Sequence, residues 1–284
     1  MEKFENDYGL NFNNTFPPTL TYFYELIDLS KNNDNFLTKE EISMYTAIPT
    51  GASTGKVIPH IYYGKYMGIL DFLKEKDKFK IIPTRLGEII YKEDPIFAEA
   101  MTQLICHIRI TSIRTGAPLW CTLFRRVFPE NNNVVSEGYM IEAINYAYRQ
   151  MKNDISKVEK KKLGPLLSCY TDSFSKLNFF EHKGETFRLK PLSLGDEYIY
   201  GYAYALFYLW DLLYGVDTDE IVENDLLALG IKEIFGWDNE NFNEFLESLQ
   251  NREIIRFNRQ ITPYTVIRMR NTESIENKMY SLLF

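Results

Sequence analysis

The sequence is poor in the residues that build metal, redox and nucleophilic sites, with only three cysteines and three histidines in 284 residues. The cysteines are odd in number, lie far apart and form no CxxC pair, which argues against a disulfide framework and a cysteine-ligated metal site. The segment 51–57 has three residues between its glycines and no hydroxyl residue after its lysine, so it does not match a phosphate-binding P-loop. We therefore predict no metal, no cofactor and no enzymatic activity.

Long apolar runs are also missing. The most apolar run extends from Tyr198 to Trp210 and is closed by acidic residues on both sides. A membrane-spanning helix needs about 20 apolar residues, and this run is shorter. The first ten residues are acidic and polar, unlike a signal peptide. These features predict a cytoplasmic protein that does not contact a membrane.

The charge is unevenly distributed. The formal net charge is −7, and acidic residues are concentrated in residues 196–253, where Lys232 and Arg252 are the only cations. Residues 1–195 and 254–284 each hold more basic than acidic residues. Such asymmetry suggests that different parts of the chain have different partners.

Apolar periodicity predicts a mainly α fold with four segments. These are an N-terminal arm over 1–18, a winged helix-turn-helix over 19–93, a central helical bundle over 94–215, and a second winged-helix-like domain with a small β-hairpin over 216–284. The basis is the order of helix, short helix, longer helix and strands, which occurs near both ends. Thr38 and Glu41 predict a capping box. The capping box begins the short helix, and the longer helix after that one is predicted to extend from Lys56 to Lys74.

The first helix-turn-helix lacks acidic residues between Ile42 and Leu70. A helix that reads DNA needs cations and hydrogen-bond donors on the face turned away from its own core. Helical spacing assigns three residues of the longer helix to that face and a fourth to its border, and the wing extends the patch. The predicted DNA-binding residues here are Lys56, His60, Tyr63, Lys65, Lys78, Lys80 and Arg85. The alternative is a protein-docking module.

A second acid-free stretch covers residues 100–129. Arginines without nearby acids suit phosphate or carboxylate groups, which the guanidinium group can bind through two parallel hydrogen bonds. The predicted anion-binding or DNA-binding residues are Arg109, Arg114, Arg125 and Arg126. The alternative is that these arginines pair with acids inside the protein.

The C-terminal third favours a protein partner over DNA. The helix after Asn239 carries Glu240, Glu244 and Glu247, which would repel a phosphate backbone. The helix over 198–214 is aromatic on all sides, which is typical of a core or an interface. The predicted partner-binding residues are Tyr204, Tyr208, Trp210, Arg256, Arg268 and Arg270.

Several short motifs occur in a defined order along the chain: Thr15-Phe16-Pro17, Thr54-Gly55-Lys56, the segment 83–87, the segment 116–120, and Trp210-Asp211. Together they resemble the bacterial family called domain of unknown function 4007, over nearly the whole chain. That family tends to begin with His-Glu-Thr-Phe. Asn13 and Asn14 replace the His and Glu here, so a chemical role of those two residues would not carry over.

The resemblance implies a bacterial setting of DNA phosphorothioation and anti-phage defence, and no known reaction. We expect a non-enzymatic DNA-binding and adaptor subunit. Its expected partners are double-stranded DNA and proteins of the same operon, such as a sulfur-transfer reductase-like enzyme or a nuclease. One alternative is a pure protein–protein adaptor whose winged helices bind a partner enzyme without touching DNA. Another is an enzyme with dispersed residues, such as a nuclease or a modification component.

Overall fold

The computed structural model describes residues 11–52, 55–152, 160–258, 260 and 262–283. Residues 1–10 of the predicted arm, and Thr54 of the loop motif, lie outside these ranges. The fold is mixed but mostly helical, with 53% helix and 14% strand. This confirms the helical predominance, while the strands form three small antiparallel sheets, more than the sequence predicted.

The first part of the chain alternates helices with one sheet. Its elements are α1 (Thr21–Asn32), β1 (Leu37–Thr38), α2 (Lys39–Tyr45), α3 (Val57–Tyr66), β2 (Leu70–Glu75), β3 (Lys78–Pro83), α4 (Arg85–Glu93), α5 (Ala100–Ile110) and α6 (Pro118–Thr122). A π-helical turn, Leu123–Val127, follows α6.

The rest of the chain contributes two more sheets. Its elements are β4 (Val134–Ser136), α7 (Glu137–Lys152), α8 (Lys160–Ser168), β5 (Phe180–Lys183), β6 (Thr186–Leu189), α9 (Ile199–Tyr214), β7 (Glu220–Val222), α10 (Glu223–Ala228), α11 (Ile231–Phe235), α12 (Asn239–Asn251), β8 (Ile255–Asn258), β9 (Thr265–Arg268) and α13 (Thr272–Glu276).

The three sheets share one topology. Each consists of a short strand followed, after intervening helices, by a hairpin, and the short strand pairs with the second strand of that hairpin. The strand orders are β1-β3-β2, β4-β6-β5 and β7-β9-β8. The first strand of a hairpin is therefore an edge strand in each sheet. The sequence predicted the C-terminal hairpin but not the first one, because it assigned the residues of β2 to the preceding helix. It also missed the short strands, because two or three residues are too few to show an alternating pattern.

The chain divides into two compact units, Met1–Leu123 with Glu137–Asn178, and Phe124–Ser136 with Phe179–Phe284. The predicted central bundle, residues 94–215, contributes to both. Fully buried aromatic side chains such as Trp120 and Tyr63 lie in the core of the first unit. Trp210 and Phe128 are likewise fully buried, in the core of the second unit.

The capping box at the start of α2 is confirmed. The Thr38 hydroxyl accepts a hydrogen bond from the Glu41 backbone N–H, and the Glu41 carboxylate accepts one from the Thr38 backbone N–H at 2.7 Å. The two bonds satisfy donors that the first turn of a helix leaves without partners.

The predicted length of the next helix is wrong. The helix α3 ends at Tyr66, eight residues before the predicted end. Gly68 adopts a left-handed conformation (φ +67°), which is a common way to end a helix, and β2 begins at Leu70. Pairing of β2 with β3 over six residues overrides the helical periodicity of residues 67–74.

Candidate DNA-binding and partner-binding surfaces

The helix α3 is a core element, with seven of its ten residues buried. It packs against α1, α2, α5 and β2. His60 and Tyr63 are fully buried, so their predicted position on an exposed face is wrong. The acid-free composition of this segment therefore reflects burial, because unpaired charges are costly inside a protein.

His60 is held as a neutral ring. Its Nε2 accepts a hydrogen bond from the Thr19 backbone N–H at 2.8 Å, and its Nδ1 donates to the Lys56 carbonyl oxygen at 2.6 Å. Burial lowers the pKa of His60 to about 4. The Tyr63 hydroxyl likewise donates to the Phe16 carbonyl oxygen at 3.0 Å. Both side chains stabilise the N-terminal segment against α3.

The predicted lysines of the same patch are mostly in contact with their own unit. Lys65 forms an ion pair with Asp71, and Lys80 forms one with Asp34 at 2.6 Å. The Lys56 Nζ atom lies 5.6 Å from the centre of the Tyr22 ring, within cation–π range. The other two predicted positions, Lys78 and Arg85, are exposed.

The β2–β3 hairpin presents two further lysines that the sequence analysis did not single out. Lys74, Lys76 and Lys78 are all exposed near the turn, and Lys76 occupies it with φ 56°. Within the described part of the chain, no carboxylate lies within ion-pair distance of these three ammonium groups. Glu75 and Asp77 alternate with them, so the net positive charge of the hairpin tip is small. In the sequence, this surface is indicated by three lysines that alternate with acidic residues across the turn.

The four predicted central arginines do not share one unit. Arg109 and Arg114 belong to the first unit, and Arg125 and Arg126 to the second. The Arg109 guanidinium packs against the backbone of Gly68, where a β-carbon would come within 2.2 Å of its Nε. Arg125 donates to the Leu229 carbonyl oxygen at 2.9 Å, and Arg126 is exposed. Arg109 and Arg125 therefore contact backbone groups of their own units, and the predicted pairing of these arginines with acids remains a prediction.

The cysteine and histidine side chains of the first unit are buried. His107 is fully buried, and its Nδ1 lies 2.8 Å from the Tyr170 hydroxyl. Burial raises the pKa of the Cys106 and Cys169 thiols. A thiol reacts as its thiolate, so these two side chains are held in their unreactive form.

Asn13, one of the two residues that depart from the family pattern, is also fully buried.

The arginines of the C-terminal sheet have two different environments. Arg268 is buried and forms ion pairs with Asp211 and with Asp219, the latter at 3.1 Å. It is on the same sheet face as Ile255, its partner across the ladder. Arg256 and Arg270 are exposed, and Arg256 is on the opposite face. The exposed pair remains available to a partner, whereas Arg268 holds the C-terminal unit together.

The aromatic helix α9 is mainly a core helix. Tyr204 and Trp210 are buried, and the Trp210 Nε1–H donates to the Thr218 carbonyl oxygen at 2.8 Å. Tyr208 is only partly buried and stacks on Tyr204, with ring centres 5.6 Å apart. Of the three predicted aromatic partner contacts, Tyr208 is therefore the one with accessible surface.

An open groove lies beside the edge strand β8. It has a volume of about 660 Å³ and is lined by Gln250, Glu253, Ile255, Arg256, Phe257, Met269 and Arg270. Met269 donates its backbone N–H to Ile254, which fixes the ladder so that the backbone groups of Ile255 and Phe257 point towards the open edge. An edge of this kind can pair with a strand from another chain.

The helix α12 presents acids to solvent, as the sequence predicted. Glu240, Glu244 and Glu247 are exposed, while Phe242 and Phe245 on the opposite face are buried. Asp238 caps the helix by accepting the Asn241 backbone N–H at 2.9 Å. The acidic surface is therefore a property of the folded unit and not only of the composition.

The fold resembles SspB. Two crystal structures, entitled "Magnesium ion-bound SspB crystal structure" and "SspB crystal structure", match with TM-scores of 0.72 and 0.69 and sequence identities of 12% and 13%. Each match covers 98% of this chain and 87% of the SspB chain. No protein-family model and no curated protein matches the sequence. The resemblance to the domain of unknown function 4007 family therefore remains a prediction.

Among the described residues, no group of three or more His, Cys, Asp or Glu side chains is placed to hold a metal ion. The acidic pair Asp211 and Asp219 is bridged by the Arg268 guanidinium instead. The described helices also include none that is long and apolar enough to cross a membrane.

Proposed function

We propose that this chain is a non-catalytic adaptor subunit of a DNA phosphorothioation-linked defence system. Its C-terminal unit binds a protein partner, and its first hairpin makes an auxiliary contact with the DNA backbone. The observation that carries the proposal is the fold match to SspB over nearly the whole length, since SspB is a component of phosphorothioation-dependent restriction. The sequence motifs, which resemble a family found beside such genes, support the same setting.

The DNA contact is assigned to the β2–β3 hairpin because α3 is buried. In a winged helix, both the longer helix and the hairpin can approach DNA. Of these two elements, the hairpin is the one that offers exposed lysines without ion pairs to the described residues, at Lys74, Lys76 and Lys78. Such contacts with phosphates position a protein without reading sequence. The proposed DNA contact is therefore weak and independent of sequence.

The partner contact is assigned to the C-terminal unit. Arg256 and Arg270 are exposed beside the groove at the edge strand β8, and Tyr208 is the accessible ring of α9. Proteins of the same operon, such as a sulfur-transfer reductase-like enzyme or a nuclease, are the proposed partners. Catalysis by this chain is not part of the proposal, because Cys106, Cys169, His60 and His107 are all buried in cores.

The salt dependence of duplex binding tests the DNA contact. If three phosphates are neutralised, affinity should fall about 40-fold between 50 and 200 mM salt. Changing Lys74, Lys76 and Lys78 together to Ala should remove most of that dependence, as measured by fluorescence anisotropy with a labelled duplex. Lys92→Ala, at another exposed lysine of the same unit, is the control and should leave it unchanged. An unaltered slope in the triple variant would refute the assignment to the hairpin.

The second candidate function is a pure protein adaptor. It is favoured by two observations within the first unit. His60 and Tyr63 are buried, and Lys65 and Lys80 form ion pairs with acids of that unit. It predicts that the tagged chain brings down a protein of its operon and shows no duplex binding at 50 mM salt. Duplex binding that the triple lysine variant abolishes would reject it.

A further inference from the structure

We propose that a small cavity in the C-terminal unit binds an organic cation, and that its occupant is an arginine side chain of a partner protein. The cavity is lined by an aromatic cluster, two carboxylates and a buried amide oxygen. It belongs to the acidic surface of the unit and is separate from the groove beside β8. Only the identity of the occupant rests on the proposed adaptor function; the cation chemistry does not.

The cavity is a fixed feature of the fold. One wall is the segment Pro191–Gly195 and another is α12. Three hydrogen bonds hold that segment in place: Leu192 N–H to the Phe235 carbonyl oxygen (2.8 Å), the Trp237 Nε1–H to the Leu192 carbonyl oxygen (2.7 Å), and Leu194 N–H to the Tyr202 hydroxyl (2.9 Å). The space between the walls therefore does not depend on flexible side chains alone.

The size of the cavity selects the class of occupant. Its volume is about 200 Å³. Pockets for cofactors and drug-sized ligands hold roughly 300–1,000 Å³. A single long side chain fits the smaller space, which favours a residue of another protein over a cofactor.

The cavity is lined by aromatic rings and by hydrogen-bond acceptors, and its lining residues include no Lys, Arg or His. Tyr202, Trp237 and Phe245 form a cluster with neighbouring ring centres 5.3 Å apart. A guanidinium group stacks on such rings. The carboxylates of Asp196 and Glu244 lie at the rim, together with the hydroxyls of Ser193 and Ser248.

Asn241 adds an acceptor that its own unit does not use. Its side-chain oxygen is buried and accepts no hydrogen bond from any residue that the structure describes. A buried acceptor without a donor is costly, and an incoming N–H would relieve that cost. The guanidinium group brings five N–H donors and a planar face, which are the complements of an amide oxygen, a carboxylate and an aromatic ring such as those of Asn241, Glu244 and Trp237.

The charges around the cavity favour the same occupant. Residues 196–253 hold many more acids than bases, which raises the local concentration of cations. One neighbouring cation is Arg252, whose guanidinium lies 3.7 Å from the Asp196 carboxylate and does not line the cavity. Glu244 has no ion pair within the described residues.

A titration with a matched pair of small probes tests the proposal. N-acetyl-L-arginine amide and N-acetyl-L-citrulline amide have nearly the same shape, and only the first is charged. The full-length chain is titrated with each, and tryptophan fluorescence is recorded. Trp237 is the reporter, because Trp120 and Trp210 are fully buried. We expect a saturable change with the arginine probe in the millimolar range and none with the citrulline probe.

Variants locate the binding. Glu244→Gln and Asn241→Leu should each lower the affinity for the arginine probe about tenfold. Glu247→Gln, which removes one charge from the same helix outside the cavity, should change it by less than about twofold. Equal binding of both probes, or equal effects of the two glutamate variants, would overturn the proposal. A partner that still co-purifies with Glu244→Gln would leave the adaptor function standing and exclude this cavity as its contact.

Discussion

The segments 37–83 and 220–268 share one strand order but use the helix before the hairpin in opposite ways. In the first segment that helix, α3, is ten residues long and mostly buried. In the second it is α12, thirteen residues long, with one buried apolar face and exposed acids. Neither helix offers a basic exposed face, the first because it is buried and the second because it is acidic. A shared topology therefore does not imply a shared binding surface.

The comparison also separates two reasons for an uneven charge pattern. The lack of acids around α3 follows from burial, whereas the acids of α12 lie on the surface. Composition alone does not distinguish the two cases. The contacts of His60 and the exposure of Glu244 do so, because one side chain is hydrogen-bonded inside the core and the other faces solvent.

The largest effect is expected at the buried ion pairs of the C-terminal segment. Arg268→Ala leaves Asp211 partly buried without its cation, and should lower the free energy of unfolding by about 3–5 kcal/mol. Arg256→Ala, on the exposed face of the same sheet, is the control and should change it by less than about 0.5 kcal/mol. Urea unfolding measures both. Equal effects would contradict the assignment of the two arginines to different environments.

A smaller effect is expected from His60 in the N-terminal segment. Its pKa is about 4 in the folded protein and about 6.5 when unfolded, so the unfolded state takes up the proton first as the pH falls. The stability that the neutral ring contributes is complete above about pH 6.5 and is lost as the pH falls towards 4. Between pH 7 and pH 5 the loss should be about 2 kcal/mol.

His60→Gln isolates this contribution, because other groups titrate equally in both proteins. Urea unfolding at pH 7 and pH 5 should show a smaller decrease for the variant than for the unaltered chain. The same decrease in both would mean that the ring is accessible to solvent and protonates in the folded state.

The smallest effects are expected at the helix caps, where the two segments agree. Thr38 caps α2 and Asp238 caps α12, each through one side-chain oxygen. Thr38→Ala and Asp238→Ala should each lower the free energy of unfolding by about 1 kcal/mol. A loss above about 2 kcal/mol at either position would show that the side chain has a further structural role.

Much of the helical fold was predictable because periodicity and caps are local signals. The capping box at Thr38 and the hairpin of β8 and β9 both follow from residues near in sequence. The end of α3 did not, because the pairing of β2 with β3 decides it. The strands β1, β4 and β7 were not predicted for the same reason, because the strands that they pair with lie far along the chain.

The candidate sites were less predictable than the fold. The acids of α12 were correctly predicted to face solvent, and Arg256, a predicted partner-binding residue, is exposed. The burial of Tyr63 involves the Phe16 carbonyl oxygen and the Trp120 ring, which lie outside the predicted winged helix-turn-helix over 19–93. The internal use of Arg268 depends on Asp211 and Asp219, 57 and 49 residues away. A one-dimensional pattern cannot assign such partners.

The most direct test of the account compares two variants of the first segment in one duplex-binding experiment. One replaces Lys74, Lys76 and Lys78 of the hairpin by Ala. The other replaces by Ala Lys56, which directly precedes α3, and Tyr62, which is partly accessible on α3. The account predicts that the hairpin variant loses at least about tenfold in affinity at 50 mM salt while the α3 variant binds like the unaltered chain. A loss confined to the α3 variant would contradict the account, because it would make the helix, and not the hairpin, the DNA-contacting element.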